Sequence, residues 1–178
     1  MRSSRSRKSQ IVGVISDTHG LMRPEVCDVF RDVGLILHAG DIGSPEVLDE
    51  LKKIAPVVAV RGNNDTGAWA NRIPVIETVS VGAVSIHLIH DLKTMKDAAT
   101  DFDVVISGHS HRPSIDRRDG VLFLNPGSAG PRRFKLPICV ARLVISPLDV
   151  ELVKMGCVAG QIIRPRIICP RYDPILCR

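Results

Sequence analysis

Seven residues of metal-ligating type recur at one kind of position in this sequence, just after a short apolar run. They are Asp17 and His19, Asp41, Asn63, His90, and the pair His109 and His111 within Gly108-His109-Ser110-His111. Carboxylate, imidazole and amide oxygen together suit hard and borderline divalent cations. Each residue alone has an ordinary explanation, because aspartates next to glycine commonly form turns and histidines often sit in cores or on surfaces. Their shared placement overturns that explanation. Seven donors of this mixed type would overserve a lone zinc, so the set predicts two ions. A carboxylate has two oxygens and can bridge cations about 3.5–4 Å apart, which makes Asp41 the bridging candidate. His38, three residues before Asp41, and His87, inside a strand-like run, are read as non-ligands.

The elements that must position these side chains are legible from periodicity. Ile11–Ser16 reads as a strand, and a helix over Pro24–Val33 has proline in its first turn. Leu35–His38 is a buried strand, Ser44 a candidate N-cap for the helix Pro45–Lys53, and Val57–Val60 the next strand. This βαβαβ order predicts a parallel sheet, and in such sheets ligands gather at the carboxyl ends of strands. After Pro74 come Glu77–Val81 and Val84–Ile89 as a hairpin around Gly82, a helix around Lys93–Ala99 and the strand Val104–Ser107. Ser114–Arg117 and Val121–Leu124 then flank the turn Asp119-Gly120, followed by the strands Ile138–Ile145 and Val150–Val153. Two sheets packed face to face with helices outside, an α/β sandwich, accommodate this order.

Asp17-Thr18-His19, Gly40-Asp41, Gly62-Asn63, His90, Gly108-His109-Ser110-His111 and Asn125-Pro126-Gly127-Ser128 resemble, in order, the motif set of the calcineurin-like phosphoesterases. The likeness runs from about residue 11 to about residue 153. The short form is similar to the small bacterial and archaeal phosphodiesterases related to the retromer subunit Vps29. The resemblance implies a four-layer α-β-β-α sandwich. It assigns Asp17, His19, Asp41 and His111 to one metal ion, and Asp41, Asn63, His90 and His109 to the other. It makes Asp41 and Asn63 catalytic ligands and a metal-bridging hydroxide the nucleophile. Manganese is the expected metal, with zinc, nickel, iron(II) and magnesium as alternatives.

The chain departs from the pattern in two places. Asn64 follows the ligand asparagine where larger relatives carry a histidine that protonates the leaving group. Loss of that acid, typically worth about 10²–10⁴-fold, favours activated esters or diesters, with Asp65 as a possible substitute donor. Asp91 follows His90 where many relatives have glycine, placing an extra carboxylate near the site. Ser16 has no base partner and reads as structural. Asn125-Pro126-Gly127-Ser128 is either a turn or a substrate contact, and Arg132 and Arg133 are phosphate candidates left outside the assigned site.

Composition bounds the rest. With 178 residues, 44% hydrophobic and 24% charged, the chain is sized for one domain, residues 11–153, between a disordered basic tail at 1–10 and a C-terminal tail of unknown structure at 154–178. No apolar run nears the ~20 residues of a membrane span. Five scattered cysteines form no CxxC pair, and no signal peptide is recognisable, so a reducing cytoplasm is expected. The net charge of +5 lies mainly in the tails, and only 3% of residues are aromatic, so nucleic acid is a weaker partner than a small phosphorylated substrate. A phosphodiesterase is the leading expectation; a Vps29-like interaction module with little or no activity is the alternative.

Overall fold

A computed structural model describes residues 10–156 and 161–163. β1 (Ile11–Ile15), β2 (Leu35–His38) and β3 (Val57–Ala59) pair in parallel, linked by α1 (Pro24–Val29) and α2 (Pro45–Lys52). On the other flank of β1 the sheet continues with antiparallel β9 (Ile138–Ile145), β10 (Leu148–Met155) and β11 (Gln161–Ile163). The second sheet has the order β4 (Ile76–Val81), β5 (Val84–Ile89), β6 (Val104–Ile106), β8 (Val121–Asn125) and β7 (Ser114–Arg118). Its three central strands are parallel and its two edges antiparallel. The result is the expected α/β sandwich.

The strand period of two sorts the core. Val12, Val14 and Leu37 face inward and pack with Ile86, Leu88, Ile106, Leu122 and Leu124 between the sheets. Ile15 and Ile36 face outward and meet Phe30, Val47 and Leu51 beneath the two helices. Strands buried on both faces need near-continuous apolar sequence, as β1 and β2 have. Phe30 is fully buried, and a Cβ on Gly13 would stand 3.0 Å from its ring, so the glycine lets the phenyl lie against the sheet.

Several boundaries differ from the sequence reading. α1 stops at Val29 instead of Val33, because the Val29 carbonyl accepts from Arg142 Nη1 on β9 and the same guanidinium grips both oxygens of Asp32, at 2.6 and 2.9 Å. Ser44 stands at the N-cap of α2 but makes no side-chain capping bond. The helix expected around Lys93–Ala99 is absent. Two 3₁₀ turns, Leu92–Thr94 and Ala99–Asp101, occur instead. Asp91 explains the first: its carboxylate takes the Lys93 N–H and its carbonyl the Thr94 hydroxyl, local bonds that compete with helix propagation. The outer layer over the second sheet is therefore thin there, with Phe102 stacked on the buried His87 at 4.5 Å. β10 runs to Met155, two residues past the expected end. The N-terminal tail up to residue 9, and residues 157–160 and 164–178 of the C-terminal tail, lie outside the described residues.

Phe30→Ala would empty the space between α1 and β1. The expected cost is about 3–5 kcal/mol of unfolding free energy, read from denaturant midpoints.

Candidate metal centre

The loops after β1, β2 and β3 in one sheet, and after β5 and β6 in the other, carry the seven predicted side chains, and the sandwich brings them together. Asp17, His19 and His111 each offer a ligand atom within 4.8 Å of the others, as do Asp17, Asp41 and His90. The remaining two residues join through the Asn63 Oδ1, 3.2 Å from His90 Nε2 and 3.0 Å from His109 Nδ1. His19 Nε2 lies 3.3 Å from His111 Nε2 and 3.8 Å from Asp41 Oδ2.

Backbone conformation gives these loops their reach. Asp17, His19, Asp41, His109 and His111 have φ of 54°, 47°, 53°, 65° and 57°, in the left-handed region that costs non-glycine residues energy and is concentrated at functional sites. The kinked loops stay in register through backbone bonds, Asp17 N–H to Gly40 O at 2.9 Å, His19 N–H to Asp41 O at 3.0 Å and Gly20 N–H to Ile42 O at 2.7 Å. Two glycines permit the close approach: a Cβ on Gly62 would collide with the Asp41 carboxylate, and one on Gly108 with the Ser16 hydroxyl.

The polar partners imply a cation. His90 Nδ1 must donate to the Ala39 carbonyl at 2.7 Å, so in the neutral ring Nε2 is a bare lone pair. That lone pair faces two acceptors, Asn63 Oδ1 and, at 3.4 Å, Asp41 Oδ1. Only a proton or a metal ion reconciles the three. Asp17 Oδ1, fully buried, has no hydrogen-bond donor among the described residues and lies 3.2 Å from His111 Nε2. The residues present therefore fit divalent metal.

Electrostatics agree in direction. Burial pushes the Asp17 carboxyl up to about 6 against the opposing 2.6 Å bond from Ser16. Burial pulls His19 down, and pulls His111 down to about 4, with the nearby positive charge of Arg133 adding to both. For Asp41 burial works upward, but His90 in its protonated form and the hydrogen bonds from Asn64 outweigh it and hold the carboxylate below its usual range. Burial likewise opposes the rise of His90, which the Asp41 contact drives.

The surrounding residues answer questions the sequence left open. Asn64 donates to both Asp41 oxygens, from its backbone at 2.9 Å and its side chain at 2.6 Å, so it orients a candidate ligand. Asp65 is no substitute acid: its carboxylate clamps Gly43 N–H at 2.8 Å and Gly62 N–H at 2.7 Å. Asp91 Oδ2 stands 4.0 Å from His109 Nε2 at the edge of the centre. Asn125 and Ser128 are braces, the first holding the Gly108 carbonyl at 2.7 Å and the second the Asp17 carbonyl at 2.9 Å. His38, read as a non-ligand, has both nitrogens occupied. Gly40 N–H donates to Nδ1, so Nε2 carries the proton to Thr18 Oγ1 at 2.9 Å, and that hydroxyl donates to the Ile42 carbonyl. Sequence reasoning missed this clamp, since His38 and Thr18 are twenty residues apart.

Comparison with known proteins converges on one family. Residues 11–147 match the family model of the calcineurin-like phosphoesterase superfamily domain. A probable metallophosphoesterase from Methanothermobacter thermautotrophicus is 39% identical over 160 residues, covering 82% of this chain and 93% of that protein. A phosphodiesterase from Methanocaldococcus jannaschii is 29% identical over 137 residues, 65% of this chain and 82% of that one. The crystal structure of Entamoeba histolytica Vps29 complexed with zinc superposes with a TM-score of 0.72 at 24% identity, covering 87% of this chain and 98% of that chain.

Two outcomes are expected. Gly62→Ala should weaken metal binding at least tenfold by displacing Asp41, as measured calorimetrically on chelator-stripped protein. His38 is buried and held down to about 3 by desolvation, whereas the unfolded chain binds that proton near 6.5. Its contribution to stability is thus lost as pH falls from 6.5 towards 3. His38→Gln, whose amide can replace both bonds, should lose less stability than the wild type between pH 7 and pH 4.5 in denaturant titrations.

Proposed function

Because the chain belongs to the calcineurin-like phosphoesterase superfamily, we propose that it is a two-metal phosphoester hydrolase that prefers diesters to monoesters. The observation that carries this reading is the meeting of His90 Nε2, Asn63 Oδ1 and Asp41 Oδ1, which with a neutral His90 ring are a lone pair and two acceptors in need of a cation. In this reading Asp17, His19, Asp41 and His111 hold one ion, and Asp41, Asn63, His90 and His109 the other, with Asp41 shared. When bound, the divalent ions, manganese foremost, supply Lewis acidity towards water and the phosphoryl group.

The chain's own residues do the positioning. Asn64 fixes the Asp41 carboxylate, the Ala39 carbonyl fixes the His90 tautomer, and Ser16 orients Asp17. In hydrolysis the water oxygen bonds to phosphorus, the ester P–O bond breaks, and the alcohol leaves. With Asn64 engaged on Asp41 and Asp65 on backbone N–H groups, neither delivers a proton to that alcohol, which favours leaving groups stable as anions. Arg133, close enough to perturb His19 and His111, is suited to phosphate oxygens.

A second reading, an interaction module like Vps29, is favoured by Phe134, 90% exposed at φ 53° between Arg133 and Lys135. The intact set of seven ligands weighs towards the enzyme, since a scaffold has no chemical need of them. A small phosphorylated substrate and a cytoplasmic setting complete the proposal; no helix among the described residues is long and apolar enough to cross a membrane.

Chelator-stripped protein should regain hydrolysis of bis-p-nitrophenyl phosphate on addition of manganese, with p-nitrophenyl phosphate cleaved more slowly. Asp41→Ala should reduce both rates to background. Activity retained by that variant would refute the shared-ligand arrangement, and no cleavage with any divalent metal would favour the interaction module.

A further inference from the structure

A cavity of about 520 Å³, within the size range of small-molecule sites, adjoins the metal centre and shares His109 and Asp91 with it. Strand alternation builds it. Leu122 and Leu124 of β8 point into the core, so Phe123 points the other way; Ile115 of β7 packs inward, so Ser114, Asp116 and Arg118 point outward beside Phe123. The thin layer left by the missing helix leaves this face of the second sheet open. The Arg118 guanidinium lies 5.2 Å from the centroid of the Phe123 ring and is held by Asp116 at 2.7 Å.

The lining has a specific chemistry. A guanidinium lying over a ring presents its own flat outer face as a stacking surface for a heteroaromatic group. The acidic residues Asp91 and Asp116 offset the basic residues Lys93 and Arg118, so the cavity has no net charge to attract a further phosphate. Ser110 Oγ accepts from Asn125 Nδ2 and from Arg112 N–H, which leaves its own proton to donate outward. Ser114 and Asp116 add further partners for hydroxyl and ring N–H groups. A smaller cavity of about 270 Å³, lined by Arg61, Asn63, His90 and Thr94, meets the same His109 and Asp91, so a phosphate at the centre has room for a substituent on two sides.

We propose that the larger cavity is the subsite for a nucleoside arm of the substrate, so that the natural substrates are phosphodiesters carrying at least one nucleoside. This rests on the phosphodiesterase reading above. The flat base lies on the Arg118 guanidinium, which Phe123 supports from behind, and the sugar hydroxyls reach Ser110, Ser114 and Asp116. An alkyl arm would offer these polar groups no hydrogen bond in place of water.

The test compares the p-nitrophenyl ester of thymidine 5′-monophosphate with methyl p-nitrophenyl phosphate, using the full chain loaded with manganese. Loss of a stacking residue costs about tenfold in affinity or somewhat more. Phe123→Ala is thus expected to raise KM for the thymidine ester about tenfold more than for the methyl ester. Ser114→Trp, which fills the cavity from an exposed strand position, should do the same. Equal changes for the two esters would overturn the subsite. If the metal-loaded wild type cleaves neither ester, the phosphodiesterase reading fails, and equilibrium dialysis of thymidine 5′-monophosphate then decides the subsite separately. Binding weakened about tenfold by either substitution upholds it; no binding by the wild type, or binding indifferent to both substitutions, overturns it.

Discussion

Three backbone hydrogen bonds between the loops after β1 and β2 set the geometry on which the rest of the centre depends. They extend the parallel pairing of those strands past their ends, into residues with left-handed φ, where a ladder would ordinarily stop. Asp17, His19 and Asp41 are registered to one another by the same bonds that hold the sheet. His38 and Thr18 lock the register from beneath, by a chain in which every proton has one place to go. The other four predicted ligands arrive from β3 and the second sheet, and converge because both sheets direct the carboxyl ends of their parallel strands to one crevice.

Such a centre is costly to fold without metal. Two buried carboxylates and several histidines compete for few protons, and the positive-φ residues add backbone strain. The burial that pushes Asp17 up and His111 down is the environment in which a cation is worth most, because little water is there to screen it. Instability of the free centre and affinity for metal therefore have one origin, and metal binding should contribute directly to the stability of the fold.

Much of this was legible in the sequence because it is written locally. The bounds of β2, β5 and β9 follow from short apolar runs, and the seven candidate ligands from their recurrence after such runs. What escaped has long-range causes or turns on single bonds. α1 ends early because Arg142, 113 residues away, takes the Val29 carbonyl. The helix expected near Lys93 gives way to turns because Asp91 offers its backbone neighbours closer partners. Asp65, a spare acid by sequence alone, has its two oxygens taken by the Gly43 and Gly62 N–H groups. The family resemblance supplied Asn125 and Ser128 as a motif, but only the fold shows that they brace the loops of Asp17 and His109.

That bracing has a consequence in time. Ser128 reaches the Asp17 carbonyl across 111 residues, and β1 acquires its partner β9 only when residues 138–145 exist. During synthesis the first ligand loop thus emerges long before its brace, with one flank of β1 unpaired. Contacts of such separation form slowly, and a half-built sheet exposes its edge meanwhile. The brace of the first candidate-ligand loop is therefore available only after β1 to β8 have been made. Until β9 is made, the flank of β1 that β9 pairs with is an open sheet edge.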